Sequence, residues 1–366
     1  MMSSDTDLKQ TPLYDEHLRL KAKMVPFGGW EMPLQYEGIL AEYEDTRKRV
    51  TVFDTSHMGE FLISGDALES GLDRVVTQPL ADMPLKTCRY GVMLNDRAGV
   101  IDDLIVYRIS ADRWMVVVNG ATMEKDARQF QNIVKVPGAF SNVSFETGKL
   151  DIQGPQARDL LSPLVRGIGR LDYYAFDTFE VMGEDVIVSR TGYTGELGYE
   201  IYFPWGRTPE LWREILRLGA QPAGLGVRDV LRIEMGYCLY GHELDEAISP
   251  LDAGLNKFIA WDKDFFGKES LLLQKNSGVS RRLACFASES RRSPRVGHRL
   301  YAASGEEIGT VTSGTFSPFL NKGVGLGFVG AGHGTPGEKI LFGGEGQALP
   351  GEIVKRPVYP QGSLKS

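Results

Sequence analysis

Cysteine is scarce in this chain: there are three in 366 residues, Cys88, Cys238 and Cys285, far apart and odd in number. That excludes a disulfide framework and a CxxC metal or redox pair, and leaves buried, reduced thiols as the expectation. Histidine is nearly as rare, and the five present (His17, His57, His242, His298, His333) form no HxxxH pair. No metal site is expected from them. No apolar run approaches the length of a membrane span. The opening MMSSDTDLKQ lacks both the apolar core of a secretory signal and the arginine-rich, acid-poor character of a transit peptide. A bacterial-type cytoplasmic location is the resulting expectation. Positive charge is also in deficit, 41 Lys and Arg against 48 Asp and Glu for a net charge of -7. Non-selective binding to nucleic acid or to an anionic membrane is therefore disfavoured, and an anionic ligand must be held by local arginines.

What is present is enough chain for two or three domains, with 42% hydrophobic and 24% charged residues, the composition of a globular protein. TPLYDEHLRLKAKM has the spacing of a short amphipathic helix, and the glycines of FGGWEMP mark a loop after it. From about 53 to 145, strand-like FDTSHMGEFLISG, a helix over ALESGLDRVV, and strands in YGVMLND, GVIDDLIVYRI and RWMVVVN predict an α+β segment with antiparallel pairing. DVIVSRTGYTGELGYEIYF then predicts strands, and TPELWREILRLG and VRDVLRIEMG predict helices, so α+β character continues to about 275. Beyond it, glycine-rich short runs without helical period predict a small all-β domain, a barrel, with its boundary between 275 and 285. Gly332, Gly334 and Gly337 match GxGxxG, but a proline and a strand-like EKILF follow where a dinucleotide site needs a helix. No nucleotide cofactor is expected.

The stretch GVIDDLIVY sets two carboxylates inside an apolar strand. Alternation puts Asp102 with Val100, Leu104 and Val106, and Asp103 with Ile101, Ile105 and Tyr107, so neither face is polar. At least one aspartate must be paired, hydrogen-bonded or facing a cavity. In RTGYTGELGYEIYF, Gly192, Thr194 and Gly195 read as a hairpin turn, and Glu200 follows on the strand face shared with Gly198 and Tyr202. A carboxylate there suits two parallel hydrogen bonds from a guanidine-like ring edge such as a pterin's, or is an ordinary exposed strand residue. Arg228 and Arg232 lie four apart on a predicted helix, with Asp229 and Glu234 near enough to neutralise them. RRSPR (Arg291, Arg292, Arg295) is a solvated loop or an acidic-partner contact.

FGGWEMP, FDTSHMGEF, GVIDDLIVY, QGPQA, SRTGYTGELGYE, GLGVRDVLRIE, LYGHELDE with ISPLDAGL, KDFFGKE and TSGTFSP occur in this order across residues 11 to 358. On these motifs the chain resembles the aminomethyltransferase (T-protein) family of the glycine cleavage system. The resemblance implies a three-domain cloverleaf: two α+β domains with antiparallel sheets, plus a C-terminal all-β barrel, around a central folate channel. The expected division is 1–52 with 145–277, 53–144 carrying Asp103, and 278–366. It further implies that an aminomethyl group on the lipoyl arm of H-protein is the donor and tetrahydrofolate the co-substrate. Ammonia and 5,10-methylenetetrahydrofolate would be the products. The family's catalytic aspartate matches Asp103, a choice that periodicity leaves open. Folate contacts carried over by motif are Met58, Leu62, Tyr90, Asn119, Tyr173, Tyr193, Glu200, Arg228 and Tyr237, with Asp103 among them. The tail PQGSLKS matches no family pattern, and His242 reads as a surface-loop variation.

Folds of this kind are shared by folate-dependent demethylases of small methylated amines or sulfonium compounds, and by folate-binding proteins of iron-sulfur cluster assembly. The second group resembles a KGCYxGQE pattern, where this chain has MGYCLYGHE. The demethylases would share the folate pocket and differ at its mouth.

Overall fold

The computed structural model describes residues 8–134, 136–344 and 348–365. A five-stranded antiparallel sheet runs in the order Cys88–Leu94, Val100–Arg108, Arg113–Val118, Gly59–Ser64, Phe140–Asn142. A six-stranded sheet runs Phe176–Val181, Glu184–Ser189, Gly198–Pro204, Thr147–Gln153, Thr51–Asp54, Gln221–Pro222, antiparallel except for its last pair. Six strands between Arg281 and Val354 close into a barrel. The expected α+β class with antiparallel sheets and a C-terminal barrel is therefore what the chain adopts.

Alternation explains how the sheets stack. In Thr147–Gln153, Leu150 and Ile152 point into a core with Trp212 and Leu211 of helix Thr208–Arg217. The opposite face carries Lys149, Asp151 and Gln153. In the five-stranded sheet, Phe61, Leu104, Val106 and Val116 bury one face against Phe130 of helix Met123–Ile133. The other face sends Tyr107, Met115 and Val117 to meet Phe176 and Tyr202 of the six-stranded sheet. Two sheets thus each bury one face on helices and turn the other toward one another; of the candidate residues, Leu62, Tyr90, Asp103 and Glu200 lie on their strands, and the rest on adjoining segments. A further core joins Val92, Leu94 and Val100 to Ile233 of helix Leu225–Met235 and to Leu283, Cys285 and Leu326 of the barrel.

Several sequence expectations change. The first helix is confined to Tyr14–Arg19, because Lys23–Phe27 instead pairs with Trp30–Gln35 across Gly28 and Gly29. Both glycines have positive φ, 56° and 86°, so FGGWEMP is the turn and second strand of a hairpin and not only a loop. ALESGLDRVV is helical only over Leu72–Val75. The expected hairpin turn at Gly192 to Gly195 is part of a longer excursion, since Ser189 pairs with Glu200. Helix Met123–Ile133 was not anticipated. Gly332, Gly334 and Gly337 lie in a loop that leads into strand Lys339–Gly343, with no helix following.

Candidate functional site

GVIDDLIVY is a strand with a bulge. Met93 pairs with Asp102 but Leu94 pairs with Val100, leaving Ile101 as the extra residue. The bulge corrects the simple alternation: Ile101 joins the core of Leu104 and Val106, and Val100 joins the core shared with the barrel. Both aspartates are hydrogen-bonded. The Asn119 backbone N–H donates to Asp102 Oδ2 at 3.0 Å and its side-chain Nδ2 to Oδ1 at 2.9 Å. The same Nδ2 donates to Asp103 Oδ1 at 2.8 Å, and the Tyr90 hydroxyl to Asp103 Oδ2 at 3.0 Å. The next residue is Gly120, where a Cβ would collide with the His57 carbonyl.

These contacts place Asp103 among neutral groups. Burial, and then the charge of Asp102, push its carboxyl up to about 7, against the hydrogen bonds of Tyr90 and Asn119. Asp102 itself is fully buried and Asp103 only partly. Tyr90 packs edge-on against Phe258 with ring centroids 4.7 Å apart.

A second group occupies the facing sheet. Glu200 and Asp151 are directly opposed across neighbouring strands, an arrangement of like charges that requires neutralising. Lys149 Nζ donates to Glu200 Oε1 at 2.5 Å, and Arg228 Nη1 donates to Asp151 Oδ2 at 2.6 Å. The Thr191 hydroxyl donates to Glu200 Oε2. Burial pushes Glu200 up, but Lys149 and Thr191 more than offset it and hold the carboxyl below its ordinary value. The Tyr107 hydroxyl also reaches Oε2 at 3.5 Å, so Oε1 is the oxygen that keeps capacity to accept a further hydrogen bond. Glu200 is thus a buried, ionised residue, not an exposed strand side chain.

Arg228 also lies 5.0 Å from the Tyr193 ring centre, and Tyr193 stacks on Tyr237 at 5.6 Å. The Tyr193 hydroxyl donates to the Cys238 carbonyl. Met58 touches Lys149 Nζ through its sulfur at 3.4 Å, and Met58 and Leu62 pack beside Tyr107 and Met115. Tyr173 packs edge-on to Tyr174 at 4.7 Å and lies near Tyr237. The structure thus joins Tyr90, Asp103 and Asn119 directly, joins Arg228, Tyr193 and Tyr237 directly, and links Met58 to Glu200 through Lys149.

The helix spacing holds for Arg232, which pairs with Asp229 at 2.8 Å, but not for Arg228 or Glu234. Arg228 takes Asp151, Arg232 is buried with Asp229 and Glu243, and Glu234 binds Arg47 instead. Residues missed in the sequence include Lys149, Asp151, Thr191 and Asp126. TGKLDIQ carries a legible period of two in Lys149 and Asp151, a pattern that ordinarily marks a solvated face. The tail also docks: Ser363 Oγ donates to Glu196 Oε2 at 2.6 Å, and Leu364 N–H to the Gly195 carbonyl at 3.2 Å. His242 accompanies the barrel, its Nδ1 3.1 Å from the Thr312 carbonyl. Clefts of about 290 and 440 Å³ lie elsewhere, at Leu283–Arg356 and at Arg97–Gln274, and include none of the predicted contacts. Among the described residues there is no group of three His, Cys, Asp or Glu placed to hold a metal, and no helix long and apolar enough to cross a membrane.

The GCVT N-terminal domain family matches residues 13–263, and the glycine cleavage T-protein C-terminal barrel domain matches residues 281–360. An aminomethyltransferase of Pseudothermotoga lettingae is 42% identical, covering 98% of this chain and 100% of the relative. One from Halothermothrix orenii is 40% identical, covering 96% and 99%. The crystal structure of glycine cleavage system aminomethyltransferase T from Bartonella henselae superposes with a TM-score of 0.91 at 31% identity, covering 97% of this chain and 99% of that one. The chain belongs to the glycine cleavage T-protein family, the aminomethyltransferases, and is a transferase.

Proposed function

We propose that this transferase takes the one-carbon unit of an aminomethyl group carried on the lipoyl arm of H-protein and passes it to tetrahydrofolate, releasing ammonia. The observation that carries the reading is Asp103: a part-exposed carboxyl held by Tyr90 and Asn119 and, among the described residues, with no cation bonded to it. An ionised Asp103 would orient the reacting nitrogens and stabilise the positive charge that develops as ammonia leaves and the methylene group transfers. The free acceptor capacity of Glu200 suits the pterin edge, and Tyr193, Tyr237 and Tyr173 supply amphipathic walls. Arg228 and the remaining contacts Met58, Leu62, Tyr90 and Asn119 complete the proposed folate site.

The proposed domain division is 1–52 with 145–277, 53–144 and 278–366; the five-stranded sheet and the barrel support it, while strand Thr51–Asp54 of the six-stranded sheet crosses its first boundary. The exposed Arg291, Arg292 and Arg295 are the proposed contact for an acidic partner surface. Reversal of Arg291 and Arg292 to glutamate is expected to raise KM for H-protein; an unchanged KM would remove that assignment.

Asp103→Asn keeps the shape and removes the charge. Formation of methylenetetrahydrofolate and ammonia from aminomethylated H-protein is expected to fall by roughly a hundredfold or more. Wild-type protein that binds folate but never turns over H-protein would favour a demethylase acting on small methyl donors.

A further inference from the structure

Asp126 is a buried acid outside the contacts described so far. It lies on helix Met123–Ile133, whose inward residues are Met123, Asp126 and Phe130, a spacing that makes its position an apolar one. It is 0% exposed, neither carboxyl oxygen has a hydrogen-bond partner among the described residues, and the Thr122 hydroxyl beside it donates to the Asn119 carbonyl at 3.0 Å. Its carboxyl faces that of Asp102, which is also 0% exposed. The neighbouring Lys125 directs its Nζ to the Ile101 carbonyl, Tyr240 and Glu246, each at 2.9 Å. Among the described residues, no ammonium is therefore bonded to the carboxyl pair.

An ionised carboxylate can only accept hydrogen bonds. Two ionised carboxylates facing each other in the interior leave oxygens unpaired and set like charges together. One proton between them removes both penalties, because a carboxyl O–H then donates to the partner carboxylate. Asp102 is the better carrier of the charge, since its oxygens already receive both N–H groups of Asn119. The proton then belongs on Asp126.

We propose that Asp126 is a positioning residue for the aminomethyl-transfer reaction: it stays protonated at neutral pH and donates a hydrogen bond to ionised Asp102, which holds Asn119 and sets the charge felt by Asp103. This inference rests on the function proposed above. Burial, then the charge of Asp102, push Asp126 up to about 10, in agreement with the geometry.

The groups facing Asp103 are Asp102 on its own strand, Tyr90 on the neighbouring strand, and Tyr193 and Cys238 from the segments beyond. Asp102 faces Asp126 and, farther off, Tyr240. Burial holds the three tyrosines and Cys238 protonated through the neutral range. Only the Asp102–Asp126 pair is left to set the charge beside Asp103. Without the Asp126 donor, Asp102 takes up the proton, the adjacent charge disappears, and Asp103 ionises at lower pH.

The test is the pH profile of kcat for aminomethylated H-protein in wild type, Asp126→Leu and Asp126→Asn. The Leu variant is expected to move the limb that rises with pH downward by about one pH unit or more. The Asn variant retains an N–H donor and is expected to superimpose on the wild-type limb. An unmoved limb in Asp126→Leu, or an Asn limb that moves as far as the Leu limb, would overturn the proposal. The wild-type minus Asp126→Asn infrared difference spectrum at neutral pH provides a readout without turnover. A protonated-carboxyl band is expected in it, and its absence overturns the proposal even if Asp126→Leu fails to fold. Wild type without turnover would overturn the assigned reaction, while the infrared comparison would still decide the protonation of Asp126.

Discussion

The two facing sheets handle buried acid in opposite ways. On the six-stranded sheet, Glu200 and Asp151 stand opposed, and each has its own cation, Lys149 at 2.5 Å and Arg228 at 2.6 Å. On the five-stranded sheet, Asp103 and Asp102 are consecutive and, among the described residues, have no cation bonded to them; Asn119 and Tyr90 donate to them instead. Pairing holds Glu200 below its ordinary value, while burial still raises Asp151 despite Arg228. Lack of pairing leaves the second group's charge adjustable, and Asp103, pushed up to about 7, is the group proposed to use it.

The largest effect should come from breaking the paired side. Lys149→Met leaves Glu200 buried without its cation, and urea unfolding is expected to show a loss of about 3–5 kcal/mol. The sign with pH should also invert. In wild type the depressed Glu200 contributes stability that is present above its unfolded value and lost as pH falls. In Lys149→Met burial is expected to outweigh the remaining lowering by Thr191 and Arg228, so the contribution of Glu200 should be lost as pH rises. A loss below about 1 kcal/mol, the range of exposed pairs, would show that the pair is not buried as described.

Asp126→Asn should act in the opposite direction on the unpaired side. Folded Asp126 keeps its proton up to about 10 while the unfolded chain releases it near the ordinary carboxylate value, so wild type loses stability as pH rises between the two. The asparagine variant has no such loss, and its advantage in Tm is expected to widen with pH. A constant difference across that window would contradict a raised Asp126.

The smallest effect is assigned to Tyr90→Phe. It removes one hydrogen bond that favours ionised Asp103, so the rising limb of kcat should move upward by about one pH unit or less. Asp126→Leu is expected to move the same limb downward, so the two variants together separate loss of a donor from loss of a neighbouring charge. Equal shifts in one direction would show that both act by general disruption.

Much of the fold could be read from the chain because period-two and helical patterns agree with the elements formed: RWMVVVN, TPELWREILRLG and the glycine-rich barrel strands adopt the expected conformations. GVIDDLIVY showed that carboxylates were buried, but not the bulge that moves Ile101 to the other face, because a bulge is set by pairing with Met93 and Leu94. Arg228 looked neutralised by its helix neighbours, yet its partner Asp151 lies 77 positions away, and spacing along one helix carries no such information. Lys149 and Asp151 alternate with Leu150 and Ile152 like any solvated strand. Only the second sheet packed over them makes that face an interior. Asp126 broke the apolar pattern of its helix in plain view, but the helix itself was missed, so the break had no meaning.

The central claim is that Asp103 carries the reaction as a carboxylate whose ionisation falls within the neutral range. The direct measurement is kcat from about pH 5 to pH 9 for wild type and Asp103→Asn with aminomethylated H-protein and tetrahydrofolate. A wild-type limb rising through about 7 that vanishes in the asparagine variant is the predicted result. A wild-type rate flat across that range, or the same limb persisting in Asp103→Asn, would contradict it.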